Sequence, residues 1–276
     1  MRIAVISDIH ANLEALKAVL KDIKKSQVDK IICCGYIIGK GVNAHECIRL
    51  IKENCDVVLR GNVDDRYIQD PENWKHDEVE YNRICFHQSL LTEDDIKFLA
   101  GLKLSTQFYL SGNLVRLFHA HPESCYKTVN NYNIDFMEKN KLFCPTEFTK
   151  SNEVADWVIL GHLHYQFMEK IYNRTIINCG SVGCPGCLIQ EDGITAHPKE
   201  IAQAHYIILE GKLSKIKGNI SVEYKSVEYD VKKELESNKG KNPEFDAYYN
   251  ELMYAIYRGL PKAMQKLKDD GYKFGN

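Results

Sequence analysis

Several of the ten histidines in this 276-residue chain stand at the ends of short apolar runs, beside aspartate or asparagine. Arg2 to Ser7 leads into Asp8 and His10, Leu114 to Phe118 into His119, and Val158 to Leu160 into Gly161-His162-Leu163-His164. Lys30 to Cys34 ends on Gly35-Tyr36, Val57 to Arg60 on Gly61-Asn62, and Thr175 to Ile177 on Asn178-Cys179-Gly180-Ser181. Imidazole nitrogen and carboxylate oxygen are the donors that hold Zn, Mn and Fe. Asp8-Ile9-His10 and His162-Leu163-His164 each offer two donors two residues apart, on one side of the chain if the segment is extended. A lone histidine is more often a hydrogen-bonded structural residue, so the metal reading rests on the whole ordered set.

The elements that must position these residues are legible around them. From residue 1 to about 65, apolar runs alternate with helix-period segments. Asn12 to Lys24 puts Leu13, Leu16, Val19, Leu20 and Ile23 on one face, and Ala44 to Lys52 repeats the pattern. This predicts a βαβαβ opening with a parallel sheet, whose ligands gather beyond the carboxyl ends of the strands. Arg66 to Gly101 reads as polar helix covering one edge of the site, with Thr92 capping a helix over Asp94 to Ala100. Residues 104 to 119 read as two strands joined at Ser111-Gly112-Asn113. The irregular, aromatic stretch from 122 to 152 is either a pocket-shaping insertion or a surface excursion. Ala204 to Leu209 and Val222 to Tyr229 each read as an edge strand, closing a second sheet. Glu244 to Leu267 carries an apolar stripe broken at Gly259-Leu260-Pro261, which predicts a terminal helical hairpin.

With 44% hydrophobic and 27% charged residues the composition is that of a globular chain. A net charge of −2 excludes general electrostatic attraction to a nucleic-acid duplex or an acidic membrane. No apolar run reaches the ~20 residues that span a bilayer. The expectation is a soluble cytoplasmic protein. Cys33, Cys34 and Cys85 lie in apolar runs and read as reduced core residues. Cys179, Cys184 and Cys187 have part of an iron–sulfur spacing but no evident fourth ligand, and read as incidental.

Taken in order, Ser7-Asp8-Ile9-His10-Ala11-Asn12, Gly61-Asn62-Val63-Asp64, His119-Ala120-His121-Pro122, Gly161-His162-Leu163-His164 and Asn178-Cys179-Gly180-Ser181-Val182-Gly183 resemble the motifs of the calcineurin-like metallophosphoesterases of small prokaryotic type. The resemblance covers roughly residues 1 to 230. It implies an α/β fold, a four-layer α-β-β-α sandwich of two mixed sheets. A metallophosphoesterase domain would occupy 1–235, and a C-terminal helical extension, packed on the core or at a dimer contact, 236–276. Asp8, His10 and His164 would hold one metal, and Asn62, His119 and His162 another. His121 and Asp64 are the candidate catalytic residues, and Arg60 and Arg66 the candidate substrate-binding ones.

The activity so implied is metal-dependent hydrolysis of a small phosphorylated molecule by in-line attack of a metal-bound hydroxide, with cations about 3.5–4 Å apart where two are held. The cations would be Mn, Fe, Zn or Mg, divalent or mixed-valence, up to two per chain. Two positions depart from the family pattern. Gly35-Tyr36 stands where a bridging aspartate is expected, which points to a single or loosely held metal and to an outward-turned Tyr36. Val63 stands where a histidine would protonate the leaving group. General acid help is worth about 10²–10⁴-fold and matters least for weakly basic leaving groups, so a phosphodiester or a phosphoanhydride such as a dinucleoside polyphosphate is the expected substrate. The alternative is a catalytically impaired relative acting as a ligand-binding or dimeric interaction protein, with a homodimer formed through the C-terminal helices.

Overall fold

A computed structural model describes residues 1–128, 136–186 and 203–254. Two five-stranded sheets face one another. The first has the order β10-β9-β1-β2-β3 and the second β4-β5-β6-β8-β7. In the first sheet β1 (Arg2–Ile6), β2 (Lys30–Cys33) and β3 (Val57–Val58) run parallel, joined by α1 (Leu13–Lys25) and α2 (Ala44–Asn54). Asn12 caps α1 by accepting from Ala15 N, and Glu14 and Lys24-Lys25 complement the helix dipole at its two ends. A five-residue α3 (Asn62–Arg66), a 3₁₀ turn (Pro71–Trp74), α4 (Glu78–Ser89) and α5 (Glu93–Ala100) then lead across, with Thr92 and Asp95 forming a capping box on α5.

The second sheet opens with the hairpin β4 (Ser105–Leu110) and β5 (Asn113–Phe118). Its two-residue turn puts Ser111 at φ 46° and Gly112 at φ 66°, the left-handed pair that suits the twist of a hairpin. After α6 (Phe136–Lys141), β6 (Trp157–Leu160) and β8 (Arg174–Cys179) run parallel to β5, and β7 (Gln166–Ile171) returns antiparallel along β8. β9 (Gln203–Glu210) and β10 (Ser221–Glu228) do not close this second sheet as expected. They join the first, and β9 is internal, antiparallel to both β1 and β10. Burial shows the reason: β9 is apolar on both faces, whereas β10 alternates between exposed and half-buried residues and suits the edge.

Period-two alternation divides the strands between layers. Ile3 and Val5 of β1 meet Ile32, Leu117, Ile159, Ile177 and Ile207 between the sheets. Ala4 and Ile6 face outward to Leu16, Val19 and Ile48 of α1 and α2. The outer face of the second sheet is covered by Leu142, Phe143 and Ala155. The result is an α/β sandwich of two mixed sheets flanked by helices, with further helices α7 (Val231–Asn238) and α8 (Phe245–Tyr254). Leu235, Tyr248 and Leu252 of those helices pack on Cys184. The expected hairpin beyond residue 254 lies outside the described residues, as does Cys187.

Candidate metal centre

The strands end as the sequence implies, and the donors follow in the turns after them. Those turns are not extended. Asp8, His10, Tyr36, His162 and His164 all have positive φ, between 55° and 68°. Each non-glycine residue in this region costs about 1–2 kcal/mol, and such strain persists only where surrounding contacts impose it. The expected alternation along Asp8-Ile9-His10 is therefore replaced by a left-handed turn after β1. Backbone bonds impose that turn: Asp8 N donates to Gly35 O, and Ile9 N and His10 N both donate to Tyr36 O. Gly35, at φ 96°, lies so close to Gly61 that an added Cβ would meet its nitrogen. Gly161 similarly leaves room for the Ser7 hydroxyl and the Asp8 carboxylate.

Asp8, His10 and His164 converge, one ligand atom from each lying within 4.8 Å of the others. The His10 and His164 Nε2 atoms are 2.9 Å apart, and Asp8 Oδ1 lies 3.5 Å from His164 Nε2. The backbone groups around these atoms say what they carry. His164 Nδ1 is 2.9 Å from the Cys184 carbonyl, which can only accept, so that nitrogen holds the proton and Nε2 presents a lone pair. Asp8 Oδ2 accepts from His162 N, while Oδ1 is buried without a hydrogen bond. Burial raises the Asp8 carboxyl, but the imidazoles of His164, 3.5 Å away, and His119 outweigh it and hold the group at about 2. An orphaned, ionised oxygen and an imidazole lone pair aimed at one point fit a cation.

A second, smaller convergence sits beside it. His119 Nδ1 lies 3.0 Å from the Cys34 carbonyl and so carries the proton, leaving Nε2 as a lone pair 2.9 Å from Asn62 Oδ1. The His162 ring is 5.2 Å from that of His119, and its Nε2 meets the Thr128 hydroxyl at 2.9 Å. Burial lowers the pKa of His119 and takes that of His162 to about 3. Thr128 was not singled out from the sequence, because nothing in its type or spacing marks it.

Tyr36 lies inside the site rather than turned outward. Its ring centroid is 3.9 Å from that of His10, 5.7 Å from His119 and 6.1 Å from His164. The left-handed backbone at residue 36 directs the side chain between the two donor groups. The other sequence candidates occupy different surroundings. Asp64 is fully buried, and its carboxylate accepts from the backbone nitrogens of Tyr36, Ile37, Ile38 and Gly61. Burial pushes it up to about 6 against those four bonds. His121 is buried and accepts from Glu123 N, with burial lowering its pKa to about 4. Arg66 is paired with Glu80 at 2.7 Å and lies over Trp74, and Arg60 faces Asp65 at 3.4 Å. Val63 packs in the apolar core with Tyr67.

These two facing sheets and their strand-end donors define a metallophosphoesterase-type sandwich with a largely buried Asp-His-His triad that could hold a cation. The model of the calcineurin-like phosphoesterase superfamily domain matches residues 1–200. An uncharacterized protein of Methanocaldococcus jannaschii is 33% identical over 260 residues, spanning 88% of this chain and 94% of the relative. The chain therefore belongs to the calcineurin-like phosphoesterase superfamily. The same fold occurs in a hypothetical protein from Pyrococcus horikoshii, with TM-score 0.68 and 15% identity over 93% of this chain and 99% of that one. It occurs also in a metallophosphoesterase from Sphaerobacter thermophilus, with TM-score 0.63 and 22% identity over 86% and 92%.

Proposed function

We propose that this chain holds one cation at Asp8, His10 and His164, and uses it to bind a small phosphorylated ligand with impaired hydrolytic turnover. The observation that carries this reading is the Tyr36 ring, placed between the two donor groups where the family pattern calls for a bridging carboxylate. A phenol does not supply the carboxylate charge of the residue it replaces. A cation at the triad would supply an electrophile for a phosphoryl oxygen. The protein groups nearby do little to assist a leaving group. His121 is deprotonated at neutral pH, and the Asp64 oxygens are taken by backbone N–H groups. The proposal sets the protein in the cytoplasm, with α7 and α8 as the contact if it dimerises.

A second reading, a working phosphoesterase for a phosphodiester or phosphoanhydride, is favoured by one observation. His119 Nε2 and Asn62 Oδ1 lie 2.9 Å apart, close enough for both to be ligands of one second cation. One experiment separates the two readings: Mn²⁺-dependent hydrolysis of a p-nitrophenyl diester and a dinucleoside polyphosphate by the native chain and by Tyr36→Asp, beside calorimetric titration with inorganic phosphate. The proposal expects phosphate binding by the native chain that requires Mn²⁺, with turnover appearing after the substitution. Native turnover equal to that of the variant would establish the second reading.

A further inference from the structure

Three backbone segments carry or brace the donor triad: the turn at 8–12, the loop after β2, and residues 181–184. All three are gripped by residues 229–252. Asn12 Nδ2 donates to Tyr229 Oη at 3.1 Å and to Gly183 O at 2.8 Å. Cys184, whose carbonyl fixes the His164 tautomer, packs against Leu235, Tyr248 and Leu252. In the loop after β2, Val42 N donates to Asn238 Oδ1, Asn43 Nδ2 to Ser237 Oγ, and Asn242 Nδ2 to the Lys40 carbonyl at 2.7 Å.

The centre of this grip is a buried ion pair. Lys40 Nζ meets Glu251 Oε1 at 2.9 Å, across 211 residues of sequence, with side chains only 7% and 3% exposed. Lys40 itself is held at φ 63°. The next residue, Gly41, donates its N–H to the His10 carbonyl at 2.9 Å and passes so close to Ala11 that no side chain fits. A short covalent and hydrogen-bonded path thus runs from Glu251 through Lys40 and Gly41 to the backbone of a cation donor. Buried ion pairs add little net stability against apolar replacements, and their best-attested use is to fix one arrangement.

We infer that the Lys40–Glu251 pair is a positioning device for the metal centre, by which α8 fixes the loop bonded to His10 and so sets cation affinity. This inference rests on the cation reading above. Groups supporting the ligands of a metal typically change affinity by about 10–100-fold when lost.

The test is calorimetric titration of the full-length chain with Mn²⁺, with the thermal midpoint measured on the same samples. Glu251→Gln, which removes the carboxylate charge facing Lys40 Nζ, should weaken Mn²⁺ binding by about 10–100-fold. Lys40→Met with Glu251→Leu removes both charges together and should return affinity to within about threefold of native. Ile171→Ala, on the far strand β7, should lower the midpoint and leave affinity unchanged. If Glu251→Gln does not fold, Asn242→Ala keeps the ion pair, removes the bond to the Lys40 carbonyl together with those to Asn238 Oδ1 and Glu244 N, and should weaken binding in the same direction. Native-like affinity in Glu251→Gln with a lowered midpoint, or an equal loss in Ile171→Ala, overturns the inference while leaving the cation reading intact. No Mn²⁺ binding by the native chain overturns both.

Discussion

Replacing Tyr36 by aspartate changes charge, packing and backbone strain together, and the structure separates these effects. The ring stands 3.9 Å from His10 and packs against the core around β1 and β2, so its removal costs the metal-free protein about 1.5–3 kcal/mol of apolar burial. Aspartate tolerates φ 59° better than tyrosine and returns part of this, leaving a loss of about 1 kcal/mol. The gain appears only with metal. A carboxylate about 4 Å from a dication gains about 8 kcal/mol at an effective dielectric of 20, twice the value for unit charges. Desolvation consumes most of it, and a residue of about 1.5–3 kcal/mol is a roughly 10–100-fold gain in affinity. The assay is thermal unfolding in EDTA and in millimolar Mn²⁺. The variant should melt below native in EDTA and show the larger Mn²⁺-induced rise, because stabilisation grows with the ratio of free metal to Kd. Equal Mn²⁺ shifts in the two proteins would refute the reasoning that Tyr36 limits the site.

Three other outcomes follow from particular contacts. Gly161→Ala would push a methyl group into the Ser7 hydroxyl and Asp8 carboxylate, and should cost about 1–3 kcal/mol in urea unfolding and abolish Mn²⁺ binding. Val63→His restores the family residue in sequence but places an imidazole in a packed core, so it should destabilise the chain by at least about 2 kcal/mol and raise no hydrolysis of alkyl monoesters. The metal-free protein should lose stability as pH falls from about 6.5 towards 4. His162 and His121 are held at about 3 and about 4, so they bind fewer protons folded than unfolded across that window. His162 alone accounts for on the order of 3 kcal/mol by pH 4; Asp64, pushed up to about 6, takes up its proton earlier when folded and offsets part of the combined histidine loss, and Asp8, held at about 2, adds its loss only below its ordinary value of 3.8. Urea midpoints measured in EDTA across this range check the direction, and a flat profile contradicts it.

The sequence showed the site's donors better than their surroundings. Apolar runs ending on Asp8, His119 and His162 are local signals, and period-two and period-3.6 patterns suffice to place them at strand ends. The hairpin turn at Ser111-Gly112 and the cap at Thr92 are likewise local. What escaped depends on distant partners or on backbone handedness. The pairing of β9 with β1 spans two hundred residues, and alternation within a strand does not say which sheet it joins. Tyr36 turns inward because its φ is positive, and Val63 turns into the core from a short helix, so neither takes the direction its place in the motif suggests. Arg66 reads as a free cation until Glu80, fourteen residues on, is seen beside it.

The central claim is that Asp8, His10 and His164 together hold a single cation. Elemental analysis of Mn²⁺-loaded, buffer-exchanged protein tests it directly, on the native chain, Asp8→Asn and His164→Ala, with circular dichroism confirming that each is folded. The account predicts one bound equivalent in the native chain and its loss in both variants, since removing one donor of three removes the site. Two equivalents in the native chain, or one retained by both variants, would contradict it.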